Sequence, residues 1–140
     1  DRKRLESIIE KHQLQNSVFL LGNVSIAEYN KIISSCDVVV NSCLKEGAVT
    51  VSFDSMRYGK PLICVDSGGF TRYFSDEYAI VLPQQNRSKL IQTMKKAILD
   101  LTDKNLRLSM GELARNVGNQ FTWDFKGEKI YELITNFQKQ

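Results

Sequence analysis

Histidine and cysteine are scarce in this sequence, which contains one histidine, His12, and three cysteines. His12 has no cysteine or carboxylate set near it, and Cys36, Cys43 and Cys64 form no C-x-x-C pair. This scarcity argues against a zinc site and against a Ser/His/Asp or Cys/His nucleophilic centre. We therefore expect no metal, no cofactor and free thiols in a reducing, cytoplasmic compartment.

Long apolar runs and a large charge excess are also absent. No run approaches the roughly 20 residues of a membrane span, and no signal-peptide pattern opens the chain. The net charge of +3, from 19 basic and 16 acidic residues, is too small and scattered to predict a nucleic-acid partner. A chain of 140 residues suits one domain. Because it begins without methionine, we expect it to be a piece of a longer protein.

Strand and helix patterns alternate along the whole chain. Amphipathic stripes predict helices, including one that begins at Ser25 with a capping box to Glu28. Alternating elements of this size predict an α/β fold, a Rossmann-like parallel sheet with helices on both faces. The runs that predict buried strands are 17–22, 37–42, 61–66 and 78–83.

The segment after Gly47 carries two conflicting signals. Val49, Thr50 and Val51 favour a strand by propensity, whereas Val49, Phe53 and Met56 recur at helical spacing. Gly59 followed by Pro61 is a C-terminal stop signature. We predict a helix from about Val49 to Tyr58. Asn86 and Thr122 are predicted to cap two later helices.

The loop before this helix is the main candidate site. It follows a predicted strand, and ligands of parallel sheets bind at the carboxyl ends of the strands. If the helix begins near Val49, the backbone amides of Gly47, Ala48, Val49 and Thr50 are unpaired donors. Together with the helix dipole they predict a site for a phosphate.

Two acids flank these amides. Glu46 precedes the donor cluster, and Asp54 lies about one helical turn inside the helix. Carboxylates repel a phosphate, so we expect them to accept hydrogen bonds from hydroxyls on either side of it. A nucleoside diphosphate sugar has that arrangement. The alternative is that Glu46 is a solvated loop acid and Asp54 a helix-dipole acid.

Other glycine-bearing turns are expected near the same edge. Gly22-Asn23 and the turn at 66–69 each follow a predicted strand. Gly22 and Asn23, with Cys43 and Leu44, are the predicted periphery of the site. Neither turn contains a dinucleotide-binding or P-loop fingerprint.

One long segment resembles a known family. "VFLLGNVSIAEYNKIISSCDVVVNSCLKEGAVTVSFDSMRYGKPLICVDSGGF" is similar to the donor-binding domain of retaining GT-B glycosyltransferases of the glycosyltransferase-family-4 type. The family pattern continues to a tail that "FTWDFKGEKIYELI" resembles. The likeness covers about residues 17–136, and its ordered series of motifs is more specific than any single motif.

The resemblance implies roles for the candidate residues. The family's E-x(7)-E motif falls on Glu46 and Asp54. The first acid orients the donor sugar, and the second binds the ribose of the nucleotide. The loop backbone, here Gly47 to Val49, supports the phosphate and sugar. Asp54 replaces the usual second glutamate, Ala48-Val49 replaces F-G, and Asn41-Ser42 replaces P-S.

The resemblance also implies what surrounds the chain. We expect residues 1–140 to be a partial nucleotide-sugar-binding domain of a two-domain enzyme, truncated at its N-terminal edge. The family's phosphate-binding Arg and Lys and its acceptor-binding N-terminal domain would then precede residue 1. The donor would be a UDP- or GDP-type sugar, and the fragment alone would be inactive. We further expect a peripheral membrane-surface acceptor and weak self-association of the fragment.

Two alternatives remain from the residues alone. One is a non-catalytic nucleotide- or sugar-binding module that kept the fold. The other is a flavodoxin-like interaction or signalling domain, although "VFLLGNV" lacks the acid cluster that a receiver domain needs. The donor sugar, its base and the acceptor are not specified by the sequence.

Overall fold

The computed structural model describes residues 1–45 and 50–137. The chain divides into two compact units, Asp1–Lys31 and Ile32–Gln140. Short 3₁₀ segments span Gly69–Tyr73 and Asn119–Phe121. The helices and strands are α1 (Arg2–Lys11), α2 (Ile26–Ser35), β1 (Val39–Asn41), α3 (Thr50–Arg57), β2 (Leu62–Val65), β3 (Ala79–Leu82), α4 (Arg87–Asp100), α5 (Lys104–Gly118) and α6 (Trp123–Phe137).

The three strands form one parallel sheet in the order β1-β2-β3. Val39 pairs with Leu62 and Leu62 pairs with Ala79, so the strands start level with one another. All four residues of β2 are buried, which means that both faces of the central strand are covered. The predicted Rossmann-like parallel α/β fold is confirmed.

Side chains from α4 and α5 cover part of the sheet. The apolar cluster there joins residues of β2 and β3 to residues of both helices: Ile63, Leu82, Ala97, Leu101 and Met110. Met56 of α3 is also buried, at 1% exposure. Within β2, burial and then the nearby Asp66 carboxylate raise the pKa of the Cys64 thiol to about 11.

Helix starts follow the caps that the sequence predicts. The Ser25 amide donates to Glu28 Oε2 at 2.9 Å, and the Glu28 amide donates to Ser25 Oγ at 3.3 Å, which is a complete capping box. The Ser25 amide and, at 2.7 Å, the Ser25 hydroxyl both donate to the Glu28 carboxylate and lower its pKa. Asn86 Oδ1 accepts from the Lys89 amide, and Thr122 Oγ1 accepts from the Phe125 amide. All three predicted caps are confirmed.

The predicted first strand, 17–22, is wrong. Residues 18–22 lie outside any strand, and Phe19 and Leu21 are 70% and 60% exposed. An apolar run becomes a strand only when a neighbouring strand satisfies its amides and carbonyls. No strand of the described residues pairs with this segment.

The described residues contain no helix with both the length and the apolar character that a bilayer crossing requires.

Candidate functional site

The site is built where β1 ends and α3 begins. Glu46, Gly47, Ala48 and Val49 lie outside the described residues, so their predicted roles stay predictions. α3 begins at Thr50, which agrees with the predicted helix and not with the competing strand.

Thr50 and Asp54 are the predicted donor-binding residues that the structure describes. Thr50 is exposed, and Asp54 is half-buried one turn later on the same helix. Residues four apart share a helix face. The structure therefore brings the Thr50 hydroxyl and the Asp54 carboxylate to one face of α3, next to the loop that follows β1.

Asn41 fixes the geometry of this junction. Asn41 is the last residue of β1, and its side chain is buried. Its Nδ2 donates to Ser52 Oγ of α3 at 3.1 Å. Its Oδ1 accepts from the Cys43 amide, also at 3.1 Å. The side-chain amide of Asn41 thus joins the end of β1, the start of the following loop and the first turn of α3. Sequence reasoning missed this role.

Gln84 is a second residue that sequence reasoning missed. It follows β3, and its Nε2 donates to the Leu44 carbonyl at 3.1 Å. Leu44 itself follows β1, so this bond joins the segments after the two outer strands. Leu44 is 55% exposed and Cys43 is half-buried. The two predicted peripheral residues of this unit therefore lie at the carboxyl edge of the sheet.

The turn after β2 is at the same edge. Thr71 Oγ1 lies 2.7 Å from Asp66 Oδ1 and 2.9 Å from the Gly68 carbonyl, which holds the turn closed. The Ser67 hydroxyl is buried and has no hydrogen-bond partner among residues 1–45 and 50–137. A Cβ atom at Gly69 would meet no atom within 4 Å. The glycine there is a turn residue and not a point of tight packing.

An aromatic cluster holds the other side of α3. The ring of Phe53 lies 5.9 Å from Tyr73, 5.6 Å from Phe74 and 5.3 Å from Phe121, centroid to centroid. The Tyr73 and Phe121 rings meet edge to face at 5.8 Å. The helix that carries Thr50 and Asp54 is therefore anchored to both 3₁₀ segments.

The remaining predicted peripheral residues, Gly22 and Asn23, belong to the unit of residues 1–31. Gly22 has a φ of +70°, the left-handed region that favours glycine. A Cβ there would lie 3.5 Å from Arg2 Nη1, while Arg2 Nη2 donates to the Leu20 carbonyl at 3.2 Å. Asn23 is exposed. In their own unit these residues form a turn packed near the first turn of α1.

The described part of the carboxyl edge is rich in hydrogen-bonding groups. It presents the Thr50 hydroxyl and the Asp54 carboxylate of α3 on a frame fixed by Asn41 and the aromatic cluster. Such an arrangement is suited to a hydroxylated ligand held by directional hydrogen bonds.

The family model described as "Glycosyl transferases group 1" matches residues 1–117. The chain belongs to this family. Its fold is that of the C-terminal domain of GT-B glycosyltransferases, as the solved structures below show.

A curated relative supports the same family. The GPI3 subunit of phosphatidylinositol N-acetylglucosaminyltransferase from Saccharomyces cerevisiae is 24% identical over 131 residues. This match covers 94% of the present chain and 28% of the relative. The chain therefore spans just over a quarter of the length of that protein.

Two solved structures share the fold. The GtfA/B complex superposes with a TM-score of 0.83 at 16% identity, covering 100% of this chain and 28% of that chain. The pneumococcal O-GlcNAc transferase GtfA, in complex with UDP and GlcNAc, superposes with a TM-score of 0.81 at 19% identity, covering 99% and 28%.

Proposed function

We propose that the chain is the larger part of the nucleotide-sugar-binding domain of a two-domain glycosyltransferase. The whole enzyme transfers a hexosyl group from a UDP- or GDP-type sugar to an acceptor with retention of configuration. The observation that carries this proposal is the start of α3 at Thr50, directly after the loop from β1, with Asp54 on the same face. Family membership and the UDP complex of the pneumococcal relative support it.

Each part of the donor has a proposed contact. The amides of Gly47, Ala48 and Val49, with Thr50, hold the diphosphate at the start of α3 and stabilise it as the leaving group. Glu46 accepts hydrogen bonds from the donor sugar and orients it. Asp54 accepts from the ribose. Amide and hydroxyl donors suffice for these contacts, so the proposal includes no metal and no cofactor.

Asp54 is one methylene shorter than the glutamate of the family pattern. Because this shorter side chain is half-buried on α3, the ribose has to approach the helix closely to reach the carboxylate. The Asn41 and Phe53 contacts fix α3 against the sheet and the 3₁₀ segments, so the helix itself is held in place for that approach.

Glu46→Ala in the full-length enzyme tests the mechanism. We expect kcat to fall at least about a hundredfold, because the donor sugar loses its orienting acceptor. Affinity for UDP or GDP should stay within about threefold, measured by calorimetry, because Glu46 does not contact the nucleotide. Glu77→Ala removes an exposed glutamate that lies between Tyr73 and β3; it is the control and should retain full activity. Unchanged turnover of Glu46→Ala would remove this residue from the mechanism.

The role of Asp54 is tested by a thermodynamic cycle. Wild type and Asp54→Asn are each titrated with UDP and with 2′,3′-dideoxy-UDP. We expect removal of the ribose hydroxyls to weaken binding to the wild type about tenfold or more, and to have a smaller effect on Asp54→Asn. Equal losses in both proteins would leave Asp54 as a structural acid.

Partners and location belong to the same proposal. The acceptor is presented at a membrane surface and the enzyme is cytoplasmic and peripheral, in keeping with the phosphatidylinositol in the name of the yeast relative. The acceptor-binding domain is supplied by the rest of the protein. Accordingly, the purified 140 residues should show no transfer to any acceptor, and measurable turnover would contradict the two-domain assignment.

A further inference from the structure

A cavity lies at the opposite edge of the sheet from the proposed donor site. It is bounded by the residues that precede β1 and β2, at 36–37 and 59–61, and by one face of α5. Its volume is about 590 Å³, within the range of small-molecule sites. The donor site at the carboxyl edge uses none of these residues.

The cavity is lined by more cations than anions. Lys60, Lys104, Arg107 and Arg115 face two carboxylates, Asp37 and Glu112. Clefts lined mainly by one sign of charge focus the field and concentrate counter-ions. The ligand that this wall favours is therefore an anion.

Two of the cations are fixed in position. Arg107 Nη1 donates to the carbonyls of Leu101 and Thr102 at 2.8 and 2.9 Å. Arg115 Nη2 donates to the Tyr58 carbonyl at 3.1 Å. Each guanidinium has five N–H groups in a rigid fork, so these anchors leave further donors for a ligand. Little side-chain entropy is then lost when an anion binds.

The two lysines are available for an anion. Lys60 is half-buried and Lys104 is exposed at the start of α5. Among residues 1–45 and 50–137, neither ammonium group has a salt-bridge or hydrogen-bond partner. Their charges are not neutralised within this wall, in contrast to Lys96 and Lys129, which pair with carboxylates on their own helices.

The carboxylates define the rest of the ligand. Asp37 lies 3.5 Å from Arg107 Nη2 and is 82% exposed, so this pair neutralises little of the charge. A bare phosphate fills only a small part of the cavity. Asp37 and Glu112 are hydrogen-bond acceptors in the lining, so a ligand that carries hydroxyls beside its phosphate matches both the cations and the carboxylates.

From the cation set, its anchoring and the cavity size, we propose that this cavity binds a phosphate monoester of a small hydroxylated molecule. The same chemistry occurs in a free polyol phosphate and in a phosphomonoester lipid headgroup. The site is independent of the proposed donor site.

The test measures the dissociation constant of sn-glycerol 3-phosphate from the 140-residue chain. Saturating UDP is present to occupy the proposed nucleotide site. The double variant Lys60→Gln/Lys104→Gln should bind about tenfold more weakly, because two charge-assisted contacts are lost. The control double variant Lys89→Gln/Lys95→Gln removes the same charge from exposed positions of α4 and should bind like wild type. Both variants should unfold at the wild-type temperature.

A second arm distinguishes the two sources of the ester. Phosphatidylcholine vesicles with and without phosphatidic acid are sedimented with each protein. Binding of glycerol 3-phosphate that depends on Lys60 and Lys104 supports a free metabolite. Dependence on these lysines only for phosphatidic acid vesicles supports a lipid headgroup. Binding of neither probe, or equal losses in both double variants, overturns the proposal.

Discussion

The packing of α5 against the turn before β2 predicts the effect of one methyl group. A Cβ built at Gly111 would lie 2.4 Å from the Gly59 carbonyl oxygen. Ordinary contacts between carbon and carbonyl oxygen are about 3.3–3.6 Å, so the methyl must displace one backbone by about 1 Å. The turn has little freedom to move, because Gly59 is held at a φ of +64° and Pro61 follows it.

Gly111→Ala therefore sets two effects against each other. Alanine is favoured over glycine inside a helix by about 1 kcal/mol. Overpacking a tight contact costs about 1–3 kcal/mol, and more against backbone. The upper part of the overpacking cost, about 2–3 kcal/mol, less the helix preference leaves a fall of about 1–2 kcal/mol in the free energy of unfolding.

Gly127→Ala is the matched control. It also lies inside a 15-residue helix, α6, and a Cβ there would meet nothing within 4 Å. Only the helix preference acts, so the free energy of unfolding should rise by up to about 1 kcal/mol. Urea unfolding of both variants and wild type provides the comparison. A Gly111→Ala variant as stable as wild type would refute the claim that α5 and the turn are in rigid contact.

Three further predictions concern stability and association. Asn41→Ala should lower the free energy of unfolding by about 2–4 kcal/mol, because two polar partners lose their hydrogen bonds; the exposed Asn30→Ala should change it by less than about 0.5 kcal/mol in the same urea titrations. The Cys64 thiol keeps its proton to a pH of about 11 in the folded chain, against an ordinary pKa of 9.0, so the unfolded state is increasingly favoured from pH 9 to 11. Wild type should then lose about 2–3 kcal/mol more than Cys64→Ala over that range, and parallel losses would place the thiol outside the pH effect. Self-association through the exposed apolar segment 18–21 should raise the sedimentation coefficient with concentration, and Phe19→Ser should reduce the rise; a monomer at every concentration would contradict it.

The order of helices and of three strands is predictable from the sequence because each signal is local. The apolar runs at 37–42, 61–66 and 78–83 contain β1, β2 and β3, and the caps at Ser25, Asn86 and Thr122 form as predicted. The helix at Thr50 follows from the spacing of Phe53 and Met56, since burial of these side chains outweighs the strand propensity of the Val-Thr-Val stretch.

The failures have a different physical origin. The segment 17–22 has the composition of a strand, yet pairing depends on a neighbour that composition does not specify. The roles of Asn41 and Gln84 depend on partners 11 and 40 residues away. Gly111 has no local signal, because its importance comes from the Gly59 carbonyl on another element. Long-range contacts of single polar or small residues are therefore visible only in the fold.

The hydrogen bond from Gln84 to Leu44 has a thermodynamic consequence. Gln84 stands two residues before Asn86, which caps α4, so the loop after β1 and the first turn of α4 share a mechanical connection. A ligand that displaces Leu44 would weaken the hydrogen bond from Gln84, and one that immobilises Leu44 would strengthen it. If this loop binds the proposed donor, reciprocity requires that a change which stabilises the opening turn of α4 also changes the affinity for that donor. Amide hydrogen exchange at Lys89 and Leu90 would then report occupancy of the proposed donor site, to which neither residue belongs.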